Sequence, residues 1–122
     1  MTSIKIKRVY EDFAESDGFR ILVDRLWPKS IKKENLHYDL WAKDLTPSSN
    51  LRTWFHQDVE NHWDSFVASY QKELAQLTNM NTYINEIELH PVVTLLYAAK
   101  DPVYNHAIIL KKYLDTLLQI KS

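Results

Sequence analysis

The residues best suited to chemistry stand in two short stretches. Asp24, Arg25, Trp27 and Lys29 follow the aliphatic run Ile21-Leu22-Val23, while Lys100, Asp101, Asn105 and His106 follow the run from Val92 to Ala98. A carboxylate and an imidazole can move a proton, the imidazole near neutral pH, which makes Asp24 and His106 the candidate catalytic pair. Guanidinium and ammonium groups hold phosphate or carboxylate, the guanidinium as a two-pronged fork. Arg25, Lys29, Lys100 and, from a segment between the two stretches, Arg52 are therefore candidate binding residues, with Asp101 and Asn105 beside them. Trp27 and Trp54 offer flat faces on which a planar ring can stack.

Each of these residues also has a purely structural reading. Asp24 and Arg25 suit an ion pair across strand ends, and neighbours on a strand point to opposite faces, so at most one faces a given pocket unless the chain twists out there. Asp101 before Pro102 has the residue type of a helix cap. His106, one turn into the helix that would follow, is either a general base or a hydrogen-bonded packing residue. His56, Asp58 and His62 spell H-x-D-x-x-x-H, but histidines six apart do not share a helical face, and no metal site or cofactor is expected. Ser48 and Ser49 lack the glycine elbow of a serine nucleophile.

Periodicity supplies the elements that must position these groups. Ile4 to Tyr10 alternates as a strand with one exposed face. Glu11 to Gly18 ends in a turn at Ser16-Asp17-Gly18, and a second strand is predicted from Phe19 to about Leu26, stopped by Pro28. Leu36 to Leu45 suits either a third short strand or an irregular segment. Thr46-Pro47-Ser48-Ser49 opens a short helix, with Thr46 or Ser48 as its cap and proline tolerated in the first turn, and the spacing of Trp63, Phe66, Val67, Tyr70, Leu74 and Leu77 predicts a longer one. Tyr83, Ile84 and Ile87 suggest another short helix. Val92 to Ala98 reads as a buried strand, and Asp101-Pro102 would cap a last helix with the stripe Val103, Ala107, Leu110, Leu114 and Leu117. The pattern predicts a single α/β domain over residues 1–122, with a mixed, mostly parallel sheet of about four strands, helices on its faces and a site at the carboxyl edge.

Composition removes several function classes. Fifteen basic and sixteen acidic residues leave a formal charge of −1, so no global field draws the chain to nucleic acid or an anionic membrane. The absence of cysteine rules out disulfides, thiolate metal sites and a cysteine nucleophile. One glycine, Gly18, leaves no Gly-rich phosphate loop. The start MTSIKIKRVY has no apolar core of a signal peptide, and no membrane span is expected; the expected location is cytoplasmic.

Three segments, GFRILVDRLWPKS, DLWAKDLTPSSNLRTWF and VTLLYAAKDPVYNHAIILKKYL, in that order and spacing, resemble the YeaO-like branch of the domain-of-unknown-function family 488. The resemblance runs from Ile4 to Leu114 and implies a small, Rossmann-like α/β domain with no assigned reaction. Longer members of the wider family look as if they carry cysteines where Tyr97 and Asn105 stand here, so thiol or metal chemistry of that other branch does not carry over.

The resulting expectation is an anionic small molecule, such as a nucleotide or phosphorylated metabolite, bound at the carboxyl edge of the sheet. Arg25, Lys29 and the helix start at Asp101 would hold its charge. The alternative is a non-catalytic module for nucleic acid or a protein partner, built on segment 20–33, where five basic residues accompany one acidic residue. A homodimer through exposed aromatic residues is compatible with either.

Overall fold

Four parallel strands carry the architecture of residues 2–121, the part that the computed structural model describes. They are β1 (Ser3–Arg8), β2 (Phe19–Leu22), β3 (Leu40–Trp41) and β4 (Val92–Tyr97), hydrogen-bonded in the order β1-β4-β2-β3. The fold is α/β as expected, and every pairing in the sheet is parallel. The helices among the described residues are α1 (Ser49–Gln57), α2 (Val59–Ala75), α3 (Met80–Glu88) and α4 (His106–Lys121). None of them is long and apolar enough to cross a membrane.

β4 has neighbours on both edges, and its run from Val93 to Leu96 is buried. A strand enclosed on both faces needs apolar residues in succession; the one polar residue of the run, Thr94, donates its hydroxyl to the Asp17 carbonyl. Val93, Leu95 and Tyr97 join Ile4 and Ile21 on one face, packed against Phe66, Tyr70, Leu74, Ile87, Leu110 and Leu114 of the helices. Leu22 and Leu96 turn to the other face, where Val9, Leu36, Trp27, Ile31, Tyr38 and Trp41 cover them. The helices thus gather on one face of the sheet instead of both. The second face is covered by the connection between β2 and β3, which carries bulky apolar residues without the 3.6-residue period of a helix.

The second face also holds a buried charge cluster. Arg20, 1% exposed, donates from Nη1 to Asp17 at 2.6 Å and from Nε to the His37 carbonyl at 2.8 Å. Lys7 reaches the same Asp17 carboxylate at 3.0 Å. Burial pushes the Asp17 carboxyl up, but hydrogen bonds from Lys7, the Ala14 N–H and Arg20 outweigh it and leave it below its ordinary value. Gly18, next in the chain, has φ 66°. A Cβ there would lie 2.2 Å from the Val92 carbonyl oxygen, so only glycine lets this turn lie against β4.

Several boundaries differ from the sequence expectation: β1 ends at Arg8 rather than Tyr10, and of Leu36 to Leu45 only Leu40–Trp41 forms a strand. β2 ends at Leu22 rather than near Leu26. The Val23 N–H still reaches Leu96 O at 3.0 Å, but the Val23 carbonyl is taken by His106 Nε2 and the Asp24 carbonyl by Trp41 Nε1, so the chain leaves the ladder well before Pro28. Pro47 lies ahead of α1, not in its first turn, because Ser48 is the cap and accepts the Leu51 N–H. Asp101 does not cap the last helix. Its Oδ1 accepts the N–H groups of Val103 and Tyr104 in a separate turn, while Asn105 accepts the Ile108 N–H and is the cap of α4. His106 therefore stands at the first position of α4, and Val103, 59% exposed, lies outside the apolar stripe.

Candidate functional site

The site follows from strand order. β2 and β4 lie side by side with Leu22 opposite Leu96, so the segments that leave their carboxyl ends open into one space. There a cavity of about 460 Å³ is lined by Asp24, Arg25, Trp27, Lys29, Arg52, Lys100, Asn105 and His106. Two adjacent residues, Asp24 and Arg25, both face it because the chain has already left the strand and the alternation of side chains no longer holds. Asp101 does not line the cavity. Its carboxyl is held below the ordinary value by the Tyr104 and Val103 N–H groups of its own turn.

Asp24 and His106 meet at the floor. His106 Nε2 lies 2.6 Å from the Val23 carbonyl, which only accepts, so Nε2 carries a proton and donates it there. The same nitrogen is 3.4 Å from Asp24 Oδ1, close enough for attraction but longer than a hydrogen bond. Asp24 Oδ2 accepts the Ala98 N–H at 2.9 Å. Burial raises the Asp24 carboxyl above its ordinary value, although the charges of His106 and Arg52 and the Ala98 N–H pull the other way.

Cations without carboxylate partners form the walls. Arg52 projects from α1, and its Nε is buried with no hydrogen-bond partner. None of the ion pairs among the described residues includes Arg25, Lys29, Arg52 or Lys100. Arg25 spends only its Nε, on the Pro47 carbonyl at 3.2 Å. His56 also lines the cavity, and burial together with the charges of Arg52 and His106 pushes its pKa below the ordinary value.

The aromatic residues divide. Trp27 shows one side to the cavity, but its Nε1 is bound to the Ile31 carbonyl at 2.6 Å and its ring packs edge-on against Tyr38 and Trp41. Trp54 is not part of the lining; it stacks on His62 with ring centres 3.8 Å apart. The two histidines of H-x-D-x-x-x-H therefore go separate ways, and no cluster of three or more metal-type side chains occurs among the described residues. Arg20, counted with the basic segment 20–33, is buried against Asp17, His37 and Phe13 and takes no part in its surface.

Residues outside the expected binding set complete the lining, among them Tyr10, Thr46, Phe55, His56 and Tyr104. For His56 a signal existed: it stands four residues after Arg52 on one helix, and such pairs share a face. Tyr10 and Tyr104 carried none, since only the tertiary fold brings them to the cavity.

Over 115 residues the chain is 44% identical to the uncharacterized protein YeaO of Escherichia coli (strain K12), covering 94% of this chain and 99% of that protein. It is 36% identical over 114 residues to the uncharacterized proteins Mb3100c of Mycobacterium bovis and Rv3073c of Mycobacterium tuberculosis, covering 93% of this chain and 95% of each. No solved structure matches it. The model of the family described as the inactive DUF488-N3 subclade matches residues 3–122, and the chain belongs to that family.

Proposed function

We propose that the protein binds an anionic small molecule, such as a nucleotide or phosphorylated metabolite, in the cavity at the carboxyl edge of the sheet. The observation that carries this reading is Arg52: its Nε is buried beside the cavity without a hydrogen-bond partner. A buried donor left unmade costs about 1–3 kcal/mol, and a ligand oxyanion removes that cost. Arg25, Lys29 and Lys100 add positive charge around the same space. The description of the family as an inactive subclade favours binding over turnover. Asp24 and His106 are then residues that orient the ligand and tune the charge of the floor.

The test is thermal unfolding of the wild type, Arg25→Ala and Arg52→Ala against nucleotides, sugar phosphates, simple anions and short oligonucleotides at low and high salt. A ligand at ~100 times its dissociation constant adds about 2.7 kcal/mol, which is several degrees for a chain of this length. The expected result is stabilisation of the wild type by one class of small anion, kept in salt and lost in Arg52→Ala. Stabilisation by oligonucleotides alone, vanishing in salt, would replace the pocket with a nucleic-acid surface.

A further inference from the structure

The cations of the pocket account for an anion but not for the carboxylate at its floor. Asp24 Oδ2 is occupied by the Ala98 N–H. Oδ1 is not: His106 Nε2 stands 3.4 Å away and gives its proton to the Val23 carbonyl at 2.6 Å. Arg52 acts on Asp24 through its charge, yet the two form no ion pair. The cavity is therefore bounded by an open acceptor at its floor and by open donors in its walls.

We propose that the ligand is a phosphate ester that also carries a free hydroxyl, the hydroxyl donating to Asp24 Oδ1 and the phosphate oxygens accepting from Arg52. This rests on the anion-binding reading above. A hydroxyl suits the floor better than an ammonium, which the surrounding Arg25, Arg52, Lys29 and Lys100 would repel. A phosphate suits the walls better than a carboxylate, because it brings nearly two negative charges to a lining with four cationic side chains and one acid. Both a sugar phosphate and a ribonucleotide have this chemistry. Asp24 is thus the residue that decides between a hydroxylated phosphate ester and a bare one.

The experiment measures binding of inorganic phosphate, phenyl phosphate, ribose 5-phosphate and adenosine 5′-monophosphate to the wild type, Asp24→Asn and Arg52→Ala by calorimetry. Asp24→Asn keeps an oxygen for the Ala98 N–H and replaces the open acceptor with an NH2 donor. Unfolding of the unliganded variant checks that it is folded. The wild type is expected to bind at least one hydroxylated ester about tenfold or more tightly than phenyl phosphate, since a hydrogen bond to a charged acceptor is worth about that factor. In Asp24→Asn that ratio falls to near one, while inorganic phosphate binds as well as before or better. Whichever of ribose 5-phosphate and adenosine monophosphate shows the Asp24-dependent preference identifies the source. An unchanged ratio in Asp24→Asn, with phosphate binding still lost in Arg52→Ala, overturns the inference and leaves the anion site standing. No phosphate binding to the wild type overturns both.

Discussion

Charged residues that share this small fold do opposite work, and partner geometry separates them. Asp17 pairs with both Lys7 and Arg20, and Asp17 and Arg20 are buried, which is the arrangement of a structural cluster. Asp17→Asn leaves the Arg20 guanidinium buried beside a neutral group, and a loss of about 3 kcal/mol in urea unfolding at pH 7 is expected. Because the Asp17 carboxyl titrates below its ordinary 3.8 in the fold, its contribution is present above the unfolded value and is lost as pH falls through the folded one. The wild type should therefore lose stability as pH falls below about 3.8 more steeply than Asp17→Asn does. Arg52 is the reverse case. Its buried Nε has no partner to orphan and is itself an unmet donor, so Arg52→Ala should leave unliganded stability unchanged or raise it, by up to about 1–3 kcal/mol. Sequence named Arg20, Arg25 and Arg52 alike as basic residues. Only packing shows that the first is buried against Asp17, His37 and Phe13 while the others open to the cavity.

At the scale of elements, legibility followed the origin of each boundary. The interiors of β4 and α2 were readable because burial imposes their apolar patterns residue by residue. The end of β2 and the start of α4 were not, because contacts distant in sequence set them: His106 with the Val23 carbonyl, and Trp41 with the Asp24 carbonyl. Asp101-Pro102 carried the right local chemistry for a cap and used it on a turn, while Asn105, the actual cap, stood four residues later. Gly18 was legible as a turn residue, though not its contact with Val92. Gly18→Ala combines a positive φ with a Cβ 2.2 Å from a main-chain oxygen. A loss of about 3 kcal/mol or more in urea unfolding is expected; a loss under 1 kcal/mol would show that the turn can move away from β4.

For the molecule as a whole, strand order is what turns scattered residues into a site. Placing β4 between β1 and β2 sets the ends of β2 and β4 side by side, and the parallel direction of both sends their following segments to the same edge. The sequence named the two stretches because each follows a buried strand. It could not supply the covering of the second face by an irregular connection, which has no period to read, nor the approach of α1 that brings Arg52 and His56 to the same cavity. The central claim is that an oxyanion occupies the space at Arg52, and the most direct measurement is a nitrogen-15 NMR titration of the whole chain with inorganic phosphate. Saturable shifts of the Arg52 Nε–H signal and of the amides of Asn105 and His106 are predicted. An unmoved Arg52 Nε–H, with shifts confined to the lysines at 32–33 or absent altogether, would contradict the account.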